Sequence, residues 1–324
     1  MQALVCHAYG AIDALTVDDI PSAPPNKGQV RIKVAAAGVN FPDLLIAQGK
    51  YQIKPSPPFT PGAECVGTVL EVGDGVERVR VGDRVIALPA WGAFADELTV
   101  DEARVMAVPP GIGDAVAAGL VLTYGTSQHA LVQRAAIQPG ETMLVLGASG
   151  GVGLAAVEIG ARLGAKVIAA ASSEEKLAVC RQHGATETVC YGKTGLKDAV
   201  KELTGGRGAD VIYDPVGGDL FDESMRCIAW KGRLLVIGFA SGRIPQLPAN
   251  LALLKGCSVV GVHWGAFVEK EPLVFAENMR TLYAWVERGD LHPLVSETYP
   301  LRRAVEALRR VERREAVGKI VVTM

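Results

Sequence analysis

The segment TMLVLGASGGVG, residues 142–153, decides the fold of this 324-residue chain. Its apolar first half predicts a buried strand, its glycines predict a tight turn, and residues 154–163 predict a helix. The first N–H groups of such a helix have no hydrogen-bond acceptor inside the helix. They point outward at its N-terminus, where the positive end of the helix dipole also lies. The segment therefore predicts a site for the pyrophosphate of a dinucleotide cofactor.

The spacing of the glycines differs from the usual dinucleotide motif. Gly147, Gly150 and Gly153 follow the pattern G-x-x-G-x-x-G, where G-x-G-x-x-G is usual. The physical tasks are the same: a tight turn, close approach of the backbone to phosphate, and close packing of helix on sheet. Because residues 166–170 read as a second strand, the turn lies inside a βαβ unit, which favours the dinucleotide interpretation. The expected cofactor contacts in the turn are Gly147, Ala148, Ser149, Gly150, Gly151 and Val152.

Composition and charge exclude several classes of partner. The 33 basic and 35 acidic residues give a net charge of −2, so no large basic field favours nucleic acid or an anionic membrane. No run approaches the ~18 apolar residues of a membrane span. Six cysteines are scattered without a C-x-x-C pair, which predicts neither a disulfide framework nor a metal knuckle. We expect a cytoplasmic protein with free thiols.

The pattern of elements changes near residue 120. Before it, short β-rich runs between turns predict a small, partly closed β domain; they cover residues 30–37, 64–72, 84–88 and 94–100. After it, strands alternate with helices, and their nearly continuous apolar character predicts a parallel sheet with strands at 142–146, 166–170, 187–189, 209–213, 232–237 and 257–262. We therefore predict a β domain of residues 1–119, completed by residues 265–324, and a dinucleotide-binding domain of residues 120–264. The last strand, residues 319–323, is expected to return to the β domain.

The end of the second strand bears on the choice of cofactor. An acidic residue there usually holds the ribose hydroxyl of NAD, but this strand ends in Ser172 and Ser173, with Lys176 nearby. These residues favour the 2′-phosphate of NADPH, with the serines as donors and the lysine as counter-charge. A compatible second interpretation is that one serine caps the next helix. Tyr191, after the third strand, either stacks on the adenine or packs in the core.

An ordered set of motifs resembles the zinc-free NADPH:quinone oxidoreductase branch of the medium-chain dehydrogenases/reductases, which includes zeta-crystallin-like proteins. The motifs span the chain: residues 38–43, 49–51, 61–64, 67–69, 81–85, 122–126, 147–153, 214–218 and 318–321. The resemblance implies an α/β fold, in which a GroES-like β domain accompanies a Rossmann domain with a doubly wound parallel sheet.

The same resemblance implies that the chain holds no metal. Zinc-dependent relatives place a cysteine ligand where this chain has Asn40 and a histidine ligand where it has Ala63. Their structural zinc uses four closely spaced cysteines, and no segment of this chain has such a group. The five histidines lie far apart and without ligand spacing, whereas tetrahedral zinc needs three or four converging ligands.

The resemblance also implies roles for individual residues. Asn40 is expected beside the nicotinamide, orienting its carboxamide or the substrate oxygen, and Tyr51 at the pocket as a candidate proton donor. Asp43 either anchors the Asn40 loop or is an exposed turn residue. Further cofactor contacts are expected from Thr123, Val216, Phe239, Ala240, Val262, Trp264 and Lys319. For Trp264 the alternative is plain packing in the core, and for Lys319 it is a solvated side chain.

The function implied is hydride transfer from NADPH to quinones or other electron-poor conjugated carbonyls. Such acceptors spread the incoming charge onto oxygen and therefore need less help from a Lewis acid than a simple carbonyl does. Two alternatives stay open: reduction of enones (alkenals) or enoyl-CoA thioesters, and a largely non-catalytic, crystallin-like NADPH-binding role. The resemblance further implies a homodimer, formed through the last Rossmann strand at residues 257–262.

Overall fold

A computed structural model describes all 324 residues, and the chain divides into two compact units. Unit 1 comprises Met1–Leu122 and Pro293–Met324, and unit 2 comprises Thr123–His292. No helix is both long enough and apolar enough to cross a membrane.

Strands predominate in the first third of the chain, and strands alternate with helices after it. Residues 1–128 contain β1 (Gln2–Val5), β2 (Thr16–Asp19), β3 (Gln29–Gly38), α1 (Phe41–Ala47), β4 (Cys65–Val72), β5 (Arg84–Ala87), β6 (Glu97–Asp101), β7 (Val105–Ala107) and α2 (Asp114–Gln128). Residues 129–227 contain a π-helical turn (His129–Arg134), β8 (Thr142–Leu146), α3 (Gly151–Arg162), β9 (Lys166–Ala171), α4 (Glu174–Gln182), β10 (Glu187–Cys190), α5 (Leu196–Leu203), β11 (Ala209–Asp214) and α6 (Gly218–Cys227). The remainder contains β12 (Ile228–Val236), α7 (Ala249–Lys255), β13 (Ser258–Gly261), α8 (Trp264–Lys270), α9 (Pro272–Glu287), β14 (Val295–Pro300), α10 (Ala304–Glu312) and β15 (Lys319–Thr323).

Unit 1 is built around a sheet of seven strands. Six of them lie in the order β14-β15-β3-β4-β5-β7, and β6 pairs with β3. Strand β3 shows why the sheet forms: Val30, Ile32 and Val34 are buried while Lys33 between them is exposed, which is the alternation of a half-buried strand. The predicted return of the last strand is confirmed, because β15 pairs antiparallel with β3.

Unit 2 contains a parallel sheet of six strands in the order β10-β9-β8-β11-β12-β13. All five residues of β8 are buried, as expected for a central strand covered on both faces. Strand order reverses between β8 and β11, and in such sheets ligands bind outside the carboxyl ends of the strands at this point. The predicted doubly wound sheet is confirmed.

One predicted boundary between the domains differs from the observed division. Residues 265–292 were expected to complete the β domain, yet α8 and α9 belong to unit 2. Contacts within unit 2 explain this: the ring of Phe267 stacks on His129 at 3.8 Å, and Gln133 Nε2 donates to Asn278 Oδ1 at 3.0 Å. These two helices therefore pack on the π-helical turn after α2.

Two strand starts also differ from the sequence prediction. Strand β6 begins at Glu97 instead of residue 94, because Phe94 is buried in an irregular segment and its N–H donates to Pro61 O. Strand β12 begins at Ile228, four residues before the predicted start, and its pairing with β11 is irregular at this end.

Candidate active site

The carboxyl edge of the parallel sheet gathers most of the predicted cofactor residues. Each lies directly after the end of a strand: Gly147–Val152 after β8, Ser172 and Ser173 after β9, Tyr191 after β10, Val216 after β11, Phe239 and Ala240 after β12, and Val262 after β13. Because all six strands are parallel, these ends meet at one edge of unit 2. Residues far apart in the sequence are thus brought together where a dinucleotide binds in such folds.

The glycine turn after β8 has the form of a phosphate cradle. Gly147 has a φ of +56°, which favours glycine, and α3 begins at Gly151 with no side chain capping its first N–H groups. A Cβ at Gly153 would lie 2.3 Å from Gly147 O, so glycine is required for α3 to approach the turn this closely. A Cβ at Gly150 would meet only Gly147 O, at 3.5 Å, so this side of the turn is open. The open space and the uncapped N–H groups fit a pyrophosphate.

The end of β9 shows a helix cap. Ser173 is the N-cap residue of α4, and its Oγ accepts a hydrogen bond from Lys176 N at 3.4 Å. A further hydrogen bond with Ser173 lowers the pKa of Glu175. The capping interpretation of Ser173 is confirmed. Ser172 is exposed, and the predicted role of Ser172, Ser173 and Lys176 toward a 2′-phosphate stays a prediction.

Asp214 was not among the predicted site residues, although it shapes this edge of the sheet. Its Oδ1 accepts hydrogen bonds from Val216 N and Gly217 N, both at 2.8 Å, and so holds the turn that carries Val216. Burial raises the pKa of Asp214 to about 6. The signal in the sequence is an Asp-Pro-Val-Gly-Gly turn directly after a strand, because a short acidic side chain there accepts from the N–H groups that follow.

Trp264 lies in a packed environment. A Cβ at Gly125 would come within 3.0 Å of its indole nitrogen, and its ring meets Phe275 edge-on with centroids 5.8 Å apart. The indole N–H is buried without an acceptor. These contacts support the packing interpretation of Trp264, while contact of Trp264, or of buried Thr123 on α2, with a cofactor stays a prediction.

Unit 1 contains a buried polar cluster formed by Asn40, Asp43, Glu64 and Lys319. Lys319 Nζ lies 3.0 Å from Glu64 Oε1, 2.7 Å from Asn40 Oδ1 and 2.8 Å from Val39 O. The second carboxylate oxygen of Glu64 accepts from Leu122 N at 3.0 Å. The three N–H groups of the ammonium therefore all have acceptors within the unit.

Two predictions about this cluster change with the structure. Lys319 was expected at the cofactor or in solvent, but it is buried and its donors are used internally. Glu64 was not predicted as a site residue at all. Its partner lies 255 positions away in the chain, so no local pattern indicates the pair. The one signal is a charged residue between Ala63 and Cys65, directly before a buried strand.

Two glycines make room for the cluster. A Cβ at Gly38 would lie 2.3 Å from Ala118 O and 2.6 Å from Glu64 Oε1. A Cβ at Gly119 would lie 3.1 Å from the Cε of Lys319. The ion pair is thus enclosed by backbone on both sides, which excludes water and strengthens the electrostatic interaction within it.

Asp43 anchors the Asn40 loop, and the alternative of an exposed turn residue is wrong. Asp43 is fully buried at the start of α1, where its Oδ2 accepts from Asn40 N at 2.8 Å. Burial raises the pKa of Asp43 to about 7, against the lowering effect of the Asn40 N–H and the Lys319 charge. Burial first, and the Asp43 charge second, raise the pKa of Tyr51.

Two family models match most of the chain. The one described as the alcohol dehydrogenase GroES-like domain matches residues 26–124, and the one described as zinc-binding dehydrogenase matches residues 151–283. Quinone oxidoreductase-like protein 2 of Mus musculus is 40% identical over 311 residues, which are 96% of this chain and 89% of the relative. The 2-haloacrylate reductase of a Burkholderia species is 32% identical over 335 residues, covering 99% of this chain and 98% of the relative.

A solved structure shows a similarity to the same group of proteins. Escherichia coli quinone oxidoreductase, crystallised in complex with NADPH, matches with a TM-score of 0.94 at 27% identity, covering 100% of both chains. The chain belongs to the medium-chain dehydrogenase/reductase family. Within this family it lies in the zeta-crystallin-like quinone oxidoreductase branch, and it is an oxidoreductase.

One matching family model is described as zinc-binding, so we compare the donor groups of this chain with what zinc requires. No group of three or more His, Cys, Asp and Glu side chains is placed to hold a metal ion. In the buried cluster an ammonium already pairs with the Glu64 carboxylate, and neither Asn40 nor Ala63 offers the thiolate or imidazole that zinc prefers. These residues do not fit a zinc site, and metal independence stays a prediction.

The raised pKa of Asp43 predicts how stability depends on pH. Because the folded protein holds this proton up to about pH 7, the stability it contributes is present in acid and is lost as the pH rises through 7. We expect Asp43→Asn to flatten the decline in the free energy of unfolding between about pH 4 and pH 7, by an amount on the order of a few kcal/mol, measured by urea unfolding at each pH. Asp74→Asn, at an exposed turn, is the control and should retain the wild-type slope. An unchanged slope in Asp43→Asn would refute the assignment.

Proposed function

We propose that the chain reduces quinones and other electron-poor conjugated carbonyls by hydride transfer from NADPH, without a metal. The observation that carries this proposal is the buried cluster of unit 1. Where the resemblance places zinc ligands, this chain has Asn40 and Ala63, and the nearby carboxylate of Glu64 is paired with an internal ammonium. With no Lewis acid to polarise a simple carbonyl, the acceptor must be activated by its own conjugation.

NADPH fits the carboxyl edge of unit 2. The uncapped N–H groups at the start of α3 would hold its pyrophosphate, and Ser172, with Ser173 and Lys176, would meet its 2′-phosphate. When bound, NADPH supplies a hydride from its nicotinamide ring. The NADPH complex of the Escherichia coli quinone oxidoreductase supports this choice of cofactor.

Tyr51 is the residue we propose as proton donor. Its raised pKa keeps the phenol protonated at neutral pH, so the hydroxyl is available to donate to the oxygen on which charge develops. Asp43, whose charge contributes to that raised pKa, holds the loop that begins at Asn40. In this proposal the Tyr51 hydroxyl stabilises the developing charge by donating a hydrogen bond, a task that a metal ion performs in zinc-dependent relatives.

The choice of NADPH over NADH is tested at Ser172. An aspartate there would repel a 2′-phosphate and accept from a ribose hydroxyl. We expect Ser172→Asp to raise the KM for NADPH by about ten- to a hundredfold and to lower that for NADH. Ser172→Asn, of similar size and without charge, is the matched control. Equal effects of both substitutions on both cofactors would contradict the proposed phosphate contact.

A second candidate is the reduction of a conjugated carbon–carbon double bond. The observation in its favour is the 2-haloacrylate reductase, a relative at 32% identity whose name states an acrylate substrate. Quinones, enones and enoyl-CoA thioesters share a conjugated carbonyl, so the same hydride transfer, with charge developing on oxygen, suits all three classes. Assays with each class separate the candidates, and tight NADPH binding without turnover on any of them would support the non-catalytic, crystallin-like role.

We also propose that the chain forms a homodimer through β13. This strand is one of the two edge strands of the parallel sheet, and large apolar side chains are exposed in the preceding elements β12 and α7: Trp230 is 68% exposed and Leu253 is 80% exposed. An open apolar edge is an aggregation hazard unless it is covered, and a second copy covers it symmetrically. Light scattering should give twice the chain mass; a monomer at micromolar concentration would contradict the proposal.

A further inference from the structure

The loop that carries Tyr51 makes few hydrogen bonds of its own. It comprises residues 48–58, between the end of α1 and Phe59, and in residues 51–58 no backbone group bonds to another backbone group. Residues 52–54, directly after Tyr51, are exposed. Tyr51 itself is half-buried against the core of unit 1, and its hydroxyl bonds to no other group of the chain. The position of the phenol therefore depends on contacts that other segments make with this loop.

The N-terminal segment, residues 6–10, holds the two ends of the Tyr51 loop. After the loop, Cys6 and Phe59 exchange both of their backbone hydrogen bonds: Cys6 N donates to Phe59 O at 2.7 Å, and Phe59 N donates to Cys6 O at 3.2 Å. Before the loop, Gly10 N donates to Ala47 O at 3.0 Å. These bonds fix the residues that flank the loop, but they do not reach its middle.

Tyr9 is the side chain of this segment that reaches the middle of the loop. Its hydroxyl donates to Pro55 O, which is the one hydrogen bond that the loop makes after Tyr51. Its ring lies over Gly49, where a Cβ would come within 3.1 Å of Tyr9 Cγ, and its centroid lies 5.9 Å from that of Phe59. One side chain thus contacts the loop on both sides of Tyr51, at Gly49 before it and at Pro55 after it.

We propose that Tyr9 is a positioning residue for the reaction, which holds the loop so that the Tyr51 phenol can donate its proton. The proposal rests on the proposed role of Tyr51 and adds the group that prepares it. A proton donor contributes to the rate only when it lies within hydrogen-bond reach of the reacting atom, and a mobile loop spends part of the time out of reach. Tyr9 therefore acts on the rate through Tyr51 and not through contact with the substrate.

The step that Tyr9 supports is balanced in atoms and electrons. The acceptor gains a hydride from NADPH and a proton from the Tyr51 hydroxyl, which together are a two-electron reduction. The O–H bond of the phenol breaks, a new O–H bond forms on the acceptor oxygen, and water returns a proton to the phenolate. Tyr9 exchanges no atom in this sequence, so its contribution is confined to geometry.

A double-mutant cycle of Tyr9→Phe and Tyr51→Phe separates positioning from a structural role. Tyr9→Phe keeps the ring over Gly49 and beside Phe59, and it removes only the bond to Pro55 O. With NADPH and a benzoquinone, we expect it to lower the single-turnover rate of NADPH oxidation by about fivefold, the scale of one neutral hydrogen bond. In the Tyr51→Phe background it should have no further effect, because the proton donor that it positions is absent.

Two controls accompany the cycle. The dissociation constant for NADPH should be unchanged in Tyr9→Phe, because the residues proposed to hold the pyrophosphate lie in unit 2. Tyr299→Phe removes a hydroxyl that bonds to Glu297 within β14, and it should leave the single-turnover rate at the wild-type value.

The outcomes distinguish the inference from the function on which it rests. A wild-type rate in Tyr9→Phe, an equal loss of rate in both backgrounds, or a parallel loss of NADPH affinity would overturn the positioning role of Tyr9. A wild-type rate in Tyr51→Phe would instead refute the proposed proton donor, and absence of turnover by the wild type would refute the proposed reductase.

Discussion

Replacing Lys319 by methionine is expected to lower the free energy of unfolding by about 3–5 kcal/mol. The substitution leaves the Glu64 carboxylate fully buried without a counter-charge, and it also removes a donor from Val39 O and Asn40 Oδ1. A buried ion pair adds little stability beyond that of a well-packed neutral pair of similar volume. Removing one partner is nevertheless strongly destabilising, because the remaining charge is buried without compensation. Urea unfolding followed by tryptophan fluorescence and circular dichroism measures the loss.

Two variants make the Lys319 prediction specific. Adding Glu64→Gln to Lys319→Met neutralises the buried carboxylate and should restore most of the lost stability. Lys33→Met removes a charge of the same kind from an exposed position of β3 and should change stability by no more than about 0.5 kcal/mol. If Lys319→Met alone unfolded at the wild-type midpoint, the buried ion pair would be refuted.

Gly153→Ala is expected to have the second largest effect. The added methyl group would lie 2.3 Å from Gly147 O and 2.9 Å from Ala148 Cα, and both are backbone atoms of the cofactor turn. Either α3 or the turn must shift, which costs about 1–3 kcal/mol of stability for an overpacked site. Because the same shift displaces the N–H groups that face the pyrophosphate, NADPH affinity should fall by at least about tenfold.

Gly150→Ala, in the same turn, is the matched control. Its methyl group would meet only Gly147 O, at 3.5 Å, and the residue has a φ of −77° that alanine adopts without strain. We expect wild-type stability together with weaker NADPH binding, because the methyl group projects into the open side of the turn. Equal stability of Gly153→Ala and the wild type would contradict the close packing of α3 on the turn.

The features that could be predicted from the sequence are those that short segments determine. The apolar run of β8 and the glycines after it specify a strand, a turn and a helix without reference to the rest of the chain. Parallel strands then bring their carboxyl ends to one edge, so even residues as distant as Gly147 and Val216 are predictable neighbours. The cap at Ser173 is predictable as well, because the residues that follow it suit the start of a helix.

The features that were missed depend on contacts between distant segments. Glu64 and Lys319 meet only because β15 returns to β3, and no local pattern distinguishes a buried lysine from a solvated one. The helices α8 and α9 lie in unit 2, whereas the sequence assigns residues 265–292 to the β domain, because an amphipathic pattern does not indicate which surface a helix covers. The stacking of Phe267 on His129 is a property of the folded unit alone.

The most direct test of the proposed metal-free reductase is NADPH consumption by the purified, chelator-treated chain, followed by the loss of the absorbance of the reduced cofactor, with metal content measured on the same sample. The panel contains a benzoquinone, a simple enone, an enoyl-CoA thioester and an unconjugated ketone, each also assayed with NADH. We predict turnover of the quinone with NADPH in preference to NADH, no turnover of the ketone, and no dependence on metal. Turnover that requires about one zinc per chain, or that NADH alone supports, would contradict it.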